Sequence, residues 1–193
     1  VDSTGRGVIT FPFTGESPAV RFVRFTASGA PDAAFGVAGV VDRDGLPSGY
    51  GGSRVLSDGR IVWSDKKVSP GAHALGVERL LATNGAPDVS YGEDPAGFTY
   101  FGLNSGITAP FEPLVSVAAD GGVTIQLRYP ATKQTFGFVR FLANGHRDPN
   151  FLQCNGGGTP LVLVANSNGP FVLPDGNILT WSVSGSTCTS LGR

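Results

Sequence analysis

Apolar residues in this chain come in short runs, each closed by a turn built on glycine and aspartate. "VLSDGRIVWS" (55–64), "VAADGGVTIQ" (117–126) and "VLPDGNILTW" (172–181) each set Asp-Gly between two β-prone runs. Their aspartates, Asp58, Asp120 and Asp175, lie 62 and 55 residues apart. Asp-Gly between apolar runs predicts a β-hairpin, because a type I′ turn needs positive φ. A second signature interleaves with the first. The runs "AVRFVRFTASG" (19–29), "GVERLLATNG" (76–85) and "FGFVRFLANG" (136–145) lead into "SGAPDAAFG" (28–36), "NGAPDVSYG" (84–92) and "NGHRDPNF" (144–151). "STGRGVITFPF" (3–13) is a degraded first copy of the hairpin, with Gly5-Arg6 standing 54 residues before Gly59-Arg60.

Each period of about 55–60 residues therefore reads as strand, Asp-Gly turn, strand, loop, strand, glycine-rich turn and a short last strand. The last strands are "AGVVD" (38–42), "AGFTYFG" (96–102) and "TPLVLVAN" (159–166). Four antiparallel strands per period is the unit of a β-propeller blade. The fold expected is all-β, a propeller-like array of about three and a third repeats within one domain, 1–193. Its units are approximately 1–54, 55–114, 115–170 and 171–193, and a β-sandwich is the alternative. A helical repeat fails, since no stretch free of Gly and Pro carries a 3.6-residue period. The nearest helical candidate, "PGAHALGVERLLATNG" (70–85), contains Gly76 and aligns with strands elsewhere.

Asp-Gly hairpins alternating with an Arg-containing run, a turn glycine, an aspartate and an aromatic resemble the delta-60 repeat, a β-propeller family of large bacterial proteins. The resemblance covers nearly the whole chain. The aspartates three residues after the turn glycine are Asp32, Asp88 and Asp148, followed by Phe35, Tyr91 and Phe151. Two departures stand out. The third copy has His146-Arg147 in place of Ala-Pro and lacks the closing glycine, and Arg79 is one residue out of step with Arg24 and Arg140. The resemblance implies a fold and no shared catalytic residues.

Read this way, the first and last units are incomplete, and three to four blades leave open sheet edges. A second copy of the chain, further chain, or closure as a small ring would each satisfy them. The chain has no Met and begins at Val1, as expected of a processed protein or a piece of a longer one.

Composition agrees with many turns. The chain holds 29 Gly and 14 Pro, and its 40% hydrophobic content is too high for disorder. Charged residues make up 15%, against roughly 25% in ordinary soluble domains. A net charge of −1 without a basic cluster argues against nucleic acid, and no apolar run is long enough for a membrane-spanning helix. Cys154 and Cys188, without a CxxC or a nearby His, read as a disulfide, with two buried thiols as the alternative. A disulfide implies an oxidising compartment, hence a secreted or cell-surface protein.

The candidate chemistry is sparse. Asp58, Asp120 and Asp175, and Asp32, Asp88 and Asp148, read as structural turn residues that accept backbone N–H bonds or pair with Arg24 or Arg140. "DRDGLPSGYGGS" (42–53) opens like a calcium loop, making Asp42 and Asp44 weak Ca²⁺ candidates, but Ser53 stands where the loop needs Glu. Glu93 and Asp94 adjoin, as loop carboxylates or an acid/base pair. His73 and His146 are the two histidines, and no G-x-S-x-G occurs. Trp63, Trp181, Tyr50 and Tyr91 are candidate binding aromatics, able to stack on a sugar if exposed and otherwise packing residues. Trp63 and Trp181 differ by one residue in distance from their turn glycines, so they point to opposite faces. Three functions follow: a non-enzymatic extracellular scaffold binding a protein or glycan, without cofactor; a lectin; and a propeller-type hydrolase with a central metal.

Overall fold

The computed structural model describes residues 1–13, 19–44, 52–69, 72–103, 112–129, 135–151, 162–165, 171–172 and 178–179. These residues form strands joined by turns, with no helix among them. The stretch 70–85, the one place with a helical rival, contains β6 (Ala72–Leu80). Here Val77 and Leu75 on one face and Glu78 and Leu80 on the other are all buried. A two-sided sheet can bury both faces of a strand, whereas a surface helix cannot bury its whole circumference.

The chain divides into two compact units, Val1–Thr108 and Ala109–Arg193. The first holds two antiparallel sheets. One is β1 (Gly7–Phe13), β2 (Ala19–Phe25) and β3 (Val40–Asp44), in that order. The other is β4 (Ser53–Val55), β5 (Ile61–Ser69), β6 and β7 (Phe98–Leu103). The second unit holds a four-stranded sheet, β8 (Glu112–Val117), β9 (Val123–Tyr129), β10 (Thr135–Phe141) and β11 (Val162–Ala165). It also holds a two-stranded pair, β12 (Phe171–Val172) and β13 (Ile178–Leu179). Strands β4 and β8 begin a few residues before the expected repeat boundaries at 55 and 115.

Register makes the three larger sheets comparable position by position. Gly7 pairs with Phe25, Ile61 with Leu80, and Val123 with Phe141. Ile9, Trp63 and Ile125 therefore share one column, and Val23, Glu78 and Val139 share the facing one. The hairpins entering these sheets match as well: Val55 pairs with Ile61, Val117 with Val123, and Val172 with Ile178. Pairing also explains the shifted arginine. The amides of Asp32, Asp88 and Asp148 bond the carbonyls of Arg24, Arg79 and Arg140 respectively. Arg79 thus occupies the corresponding position, and one extra residue sits inside its turn. There Gly85 N–H reaches back to Leu81, four residues away, whereas Gly29 and Gly145 reach Thr26 and Leu142, three away.

The hairpin turns depart from the expected type I′. Gly59 and Gly121 have φ of +85° and +81°, but Asp58 and Asp120 do not have positive φ. Gly59 N–H bonds the Leu56 carbonyl, and Leu56 N–H bonds the Arg60 carbonyl. The loop is a three-residue one ending on a left-handed glycine, the other common hairpin solution. Asp58 then has its side chain free to accept the Arg60 amide at 3.0 Å, as Asp120 accepts Gly122 at 2.8 Å.

In the first unit, one sheet lies on the other. Alternation along β2 sends Val20, Phe22 and Arg24 to one face, and Val20 and Phe22 meet Ile61, Trp63 and Leu80 of the second sheet, with Phe35 closing the cluster. Phe22 and Trp63 meet edge to face, with centroids 5.4 Å apart. Burying each such side chain stabilises by about 1.5–3 kcal/mol.

Candidate functional site

Polar groups concentrate where the two sheets of the first unit meet. Arg24 follows the buried Phe22 on β2, two residues on and on the same face, and is itself buried. Its Nε donates to Asp32 at 2.9 Å, its Nη1 donates to the Ala82 carbonyl of the neighbouring sheet, and its guanidinium lies 4.4 Å over the Phe35 ring. Asp32 is in turn fixed by the Ala34 amide at 3.2 Å. The motif recurs at Arg79, which donates to Asp88 at 2.8 Å and lies 4.4 Å over Tyr91. Asp88 accepts from the amide and hydroxyl of Ser90. Burial pushes the Asp88 carboxyl up, but its bonds from Ser90 and Arg79 outweigh that and hold it below the usual range. In the third sheet Arg140 Nη2 donates to Asp120 at 2.6 Å, and its Nε stands 3.7 Å from Asp148. Asp148 accepts the Asn150 amide.

A second cluster has no counterpart among the described residues of the other sheets. Glu78 occupies a column that holds Val23 and Val139 elsewhere, and it is buried. Arg43 of β3 reaches it across the sheets, with Nη2 on Oε1 at 2.6 Å and Nε on Oε2 at 3.2 Å. Trp63 Nε1 donates to the same Oε2 at 2.6 Å. Burial raises the Glu78 pKa, against the opposing pull of Arg43 and Trp63. Three donors on one carboxylate make this a polar pin between sheets, bonded as a buried charge requires. The sequence did carry a signal for it: a lone Glu in an otherwise apolar column facing a Trp.

Asp58, Asp120, Asp32, Asp88 and Asp148 each accept the backbone amide two residues on. Asp175 lies outside the described residues. Asp2, not singled out in the sequence, takes the same part in the first sheet. It accepts from Thr4 N–H and Oγ1 and from Arg6 N–H and Nε, at 2.6–2.9 Å. Burial pushes its carboxyl up, but those bonds together hold it far below the usual range.

Other candidates move. Trp63 is 2% exposed and Tyr91 1%, so both are core residues with no ring face for a sugar. The alternation of β5 turns Trp63 towards Phe22, and the Asp88 turn folds Tyr91 under Arg79. Tyr50 and Trp181 lie outside the described residues, as do Cys154 and Cys188. Asp42 and Asp44 lie at the end of strand β3, residues 45–51 of the candidate loop lie outside the described residues, and both Asp42 oxygens are taken by Arg21 at 2.7 Å. That pair holds the Asp42 carboxyl below its usual range. Asp94 accepts the Ala96 amide, and Glu93 N–H donates to Thr99 Oγ1. His146 is exposed at its turn. Among the described residues no three His, Cys, Asp or Glu side chains gather as metal ligands, and no helix is long and apolar enough to cross a membrane.

The first sheet exposes two apolar residues of β1. Ile9 is 56% and Phe11 39% exposed, while Trp63 and Ile125, in the column of Ile9, are buried. Comparison of the chain with protein-family models and with curated proteins returns no match.

Proposed function

We propose that this chain is a non-enzymatic interaction and scaffold module of β-propeller type, working outside the cell and recognising a protein. One observation carries the reading. The aspartates of both signatures that fall among the described residues are bonded to their own turns, and the second-signature ones face an arginine of the same sheet. Carboxylates held this way serve the framework, and recognition falls to sheet faces and loops. The propeller form draws support from sheets of matching register stacked face to face in the first unit, and from the resemblance to the delta-60 repeat. A protein partner is favoured over a sugar because Trp63 and Tyr91 are core residues. The secreted or cell-surface setting rests on the Cys154–Cys188 pairing read from the sequence.

A panel of chromogenic ester, phosphate and glycoside substrates, assayed with and without added Ca²⁺, Zn²⁺ or Mn²⁺, tests the reading. No turnover above buffer is expected. Turnover that a chelator abolishes and the metal restores would overturn it.

A further inference from the structure

Among the described residues asparagine precedes glycine at Asn84–Gly85 and at Asn144–Gly145, and the fold treats the two differently. (Asn155 and Asn168 also precede glycine and lie outside the described residues.) Around Asn144, Leu142 N–H bonds the His146 carbonyl and Gly145 N–H bonds the Leu142 carbonyl, both at 2.8 Å. Gly145 has φ of +83°, and Asn144 Oδ1 accepts the His146 amide at 3.1 Å. The hairpin at Asp58 is the same turn. Leu56 N–H bonds the Arg60 carbonyl at 2.8 Å and Gly59 N–H bonds the Leu56 carbonyl at 2.9 Å. Gly59 has φ of +85°, and Asp58 Oδ1 accepts the Arg60 amide at 3.0 Å. One turn holds an asparagine where the other holds an aspartate, so the geometry that carries Asn144 also suits the corresponding acid.

We infer that Asn144 is a site of spontaneous modification in the folded protein, its side-chain amide becoming a carboxylate through a cyclic imide with Gly145. Asn144 and His146 are exposed to water, and glycine brings no Cβ to hinder approach of its nitrogen. The Gly145 nitrogen gives its proton to hydroxide and bonds Asn144 Cγ. The charge that develops on Oδ1 meets the His146 N–H already directed at it. The Cγ–Nδ2 bond then breaks, and Nδ2 takes a proton from water and leaves as ammonia. Water opens the imide in one of two ways. Cleavage of the new N–Cγ bond restores the main chain and gives aspartate, whereas cleavage between Gly145 N and the Asn144 carbonyl carbon gives isoaspartate. Because Gly145 N–H is held by Leu142, the reaction waits on the opening of an exposed turn, a local event well short of global unfolding. The product adds one negative charge to a chain of net charge −1.

Asn84 is held harder. Its carbonyl accepts Gly36 N–H of the first sheet's loop at 2.9 Å. The Phe35 ring packs at Gly85 so closely that a Cβ there would lie 2.6 Å from Phe35 Cε2. Opening this turn breaks a contact between sheets as well as the turn's own bonds. The inference goes beyond the proposed function and does not rest on it.

Incubation of the folded protein in mildly alkaline buffer, followed by tryptic peptide mapping, tests it. The peptide Phe141–Arg147 has Asn144 as its single asparagine. It is expected to yield two new species, aspartate and isoaspartate, each heavier by the exchange of NH₂ for OH. Asn84 is expected to convert at least about tenfold more slowly, for the added cost of the sheet contact, and denaturing urea is expected to close that gap. An Asn144 still intact when the free peptide of residues 141–147 has fully converted overturns the inference. So does an Asn84 that keeps pace in the folded protein, or a gap that persists in urea. Asn144→Asp is expected to keep the wild-type urea midpoint, as the turn at Asp58 implies. A lowered midpoint overturns acceptance of the product by the fold. None of these readouts bears on the turnover assay that tests the proposed function.

Discussion

Replacing Tyr91 with Phe is expected to stabilise the protein. The Tyr91 hydroxyl is buried and has no hydrogen-bond partner, and burial drives its pKa upward, with Arg79 pulling the other way. A buried polar group without a partner forfeits its hydration, about 1–3 kcal/mol. Removing the oxygen leaves a void of about 10 Å³, which costs about 0.2–0.3 kcal/mol. The ring stays beneath Arg79, 4.4 Å away, so its packing is retained. The corresponding residues Phe35 and Phe151 show that the position accepts Phe. The net expectation is a gain of about 1–2 kcal/mol, or about 2–8 °C in Tm for a chain of this size. Urea unfolding, with an unchanged m value, would read it. Phe35→Tyr is the reverse control. Phe35 is fully buried in the core cluster, so a hydroxyl added to its ring overpacks by about 1–3 kcal/mol. If Tyr91→Phe instead loses more than about 0.5 kcal/mol, the hydroxyl has a partner and the reasoning fails.

Four further expectations follow from the same geometry. Gly85→Ala should cost about 2–5 kcal/mol by chemical denaturation, from left-handed strain and from overpacking on Phe35. Gly29→Ala, with φ of +84° and open space, should cost the strain alone, about 1–2 kcal/mol. Glu78→Gln should change the pH dependence. Because the folded pKa of Glu78 is raised above its ordinary 4.5, its ionisation withdraws stability as pH climbs through the folded value. The urea midpoint of the Gln variant, relative to wild type, should therefore rise from pH 4 to pH 7, and a flat or falling difference refutes the assignment. Asp2, Asp58 and Asp88 titrate below their ordinary 3.8. Their stabilisation is complete above that pH and fades as pH falls below it, so Asp2→Asn should flatten the acid limb of a pH–stability curve between about pH 4 and 2.

The chain's short-range pattern was enough for its strands and turns. Asp-Gly between apolar runs and the recurring Arg, Asp and aromatic spacing report local needs: a left-handed glycine, an amide to cap, a strand face to bury. Those needs are met within about ten residues, so Asp58, Asp120, Asp32, Asp88 and Asp148 were legible as turn residues before any coordinates. Arg79 looked misplaced in sequence only because spacing counts residues, whereas strand pairing counts hydrogen bonds, and the turn at Leu81–Gly85 absorbs the extra one. What lies between sheets was not legible. Whether Trp63 faces solvent or Phe22 depends on the sheet opposite it, and Glu78 gains its meaning from Arg43, 35 residues away and in another sheet. Ile9 reads as an ordinary buried strand position in the sequence. Only tertiary packing, which covers its counterparts Trp63 and Ile125 and leaves Ile9 bare, separates a core position from a surface.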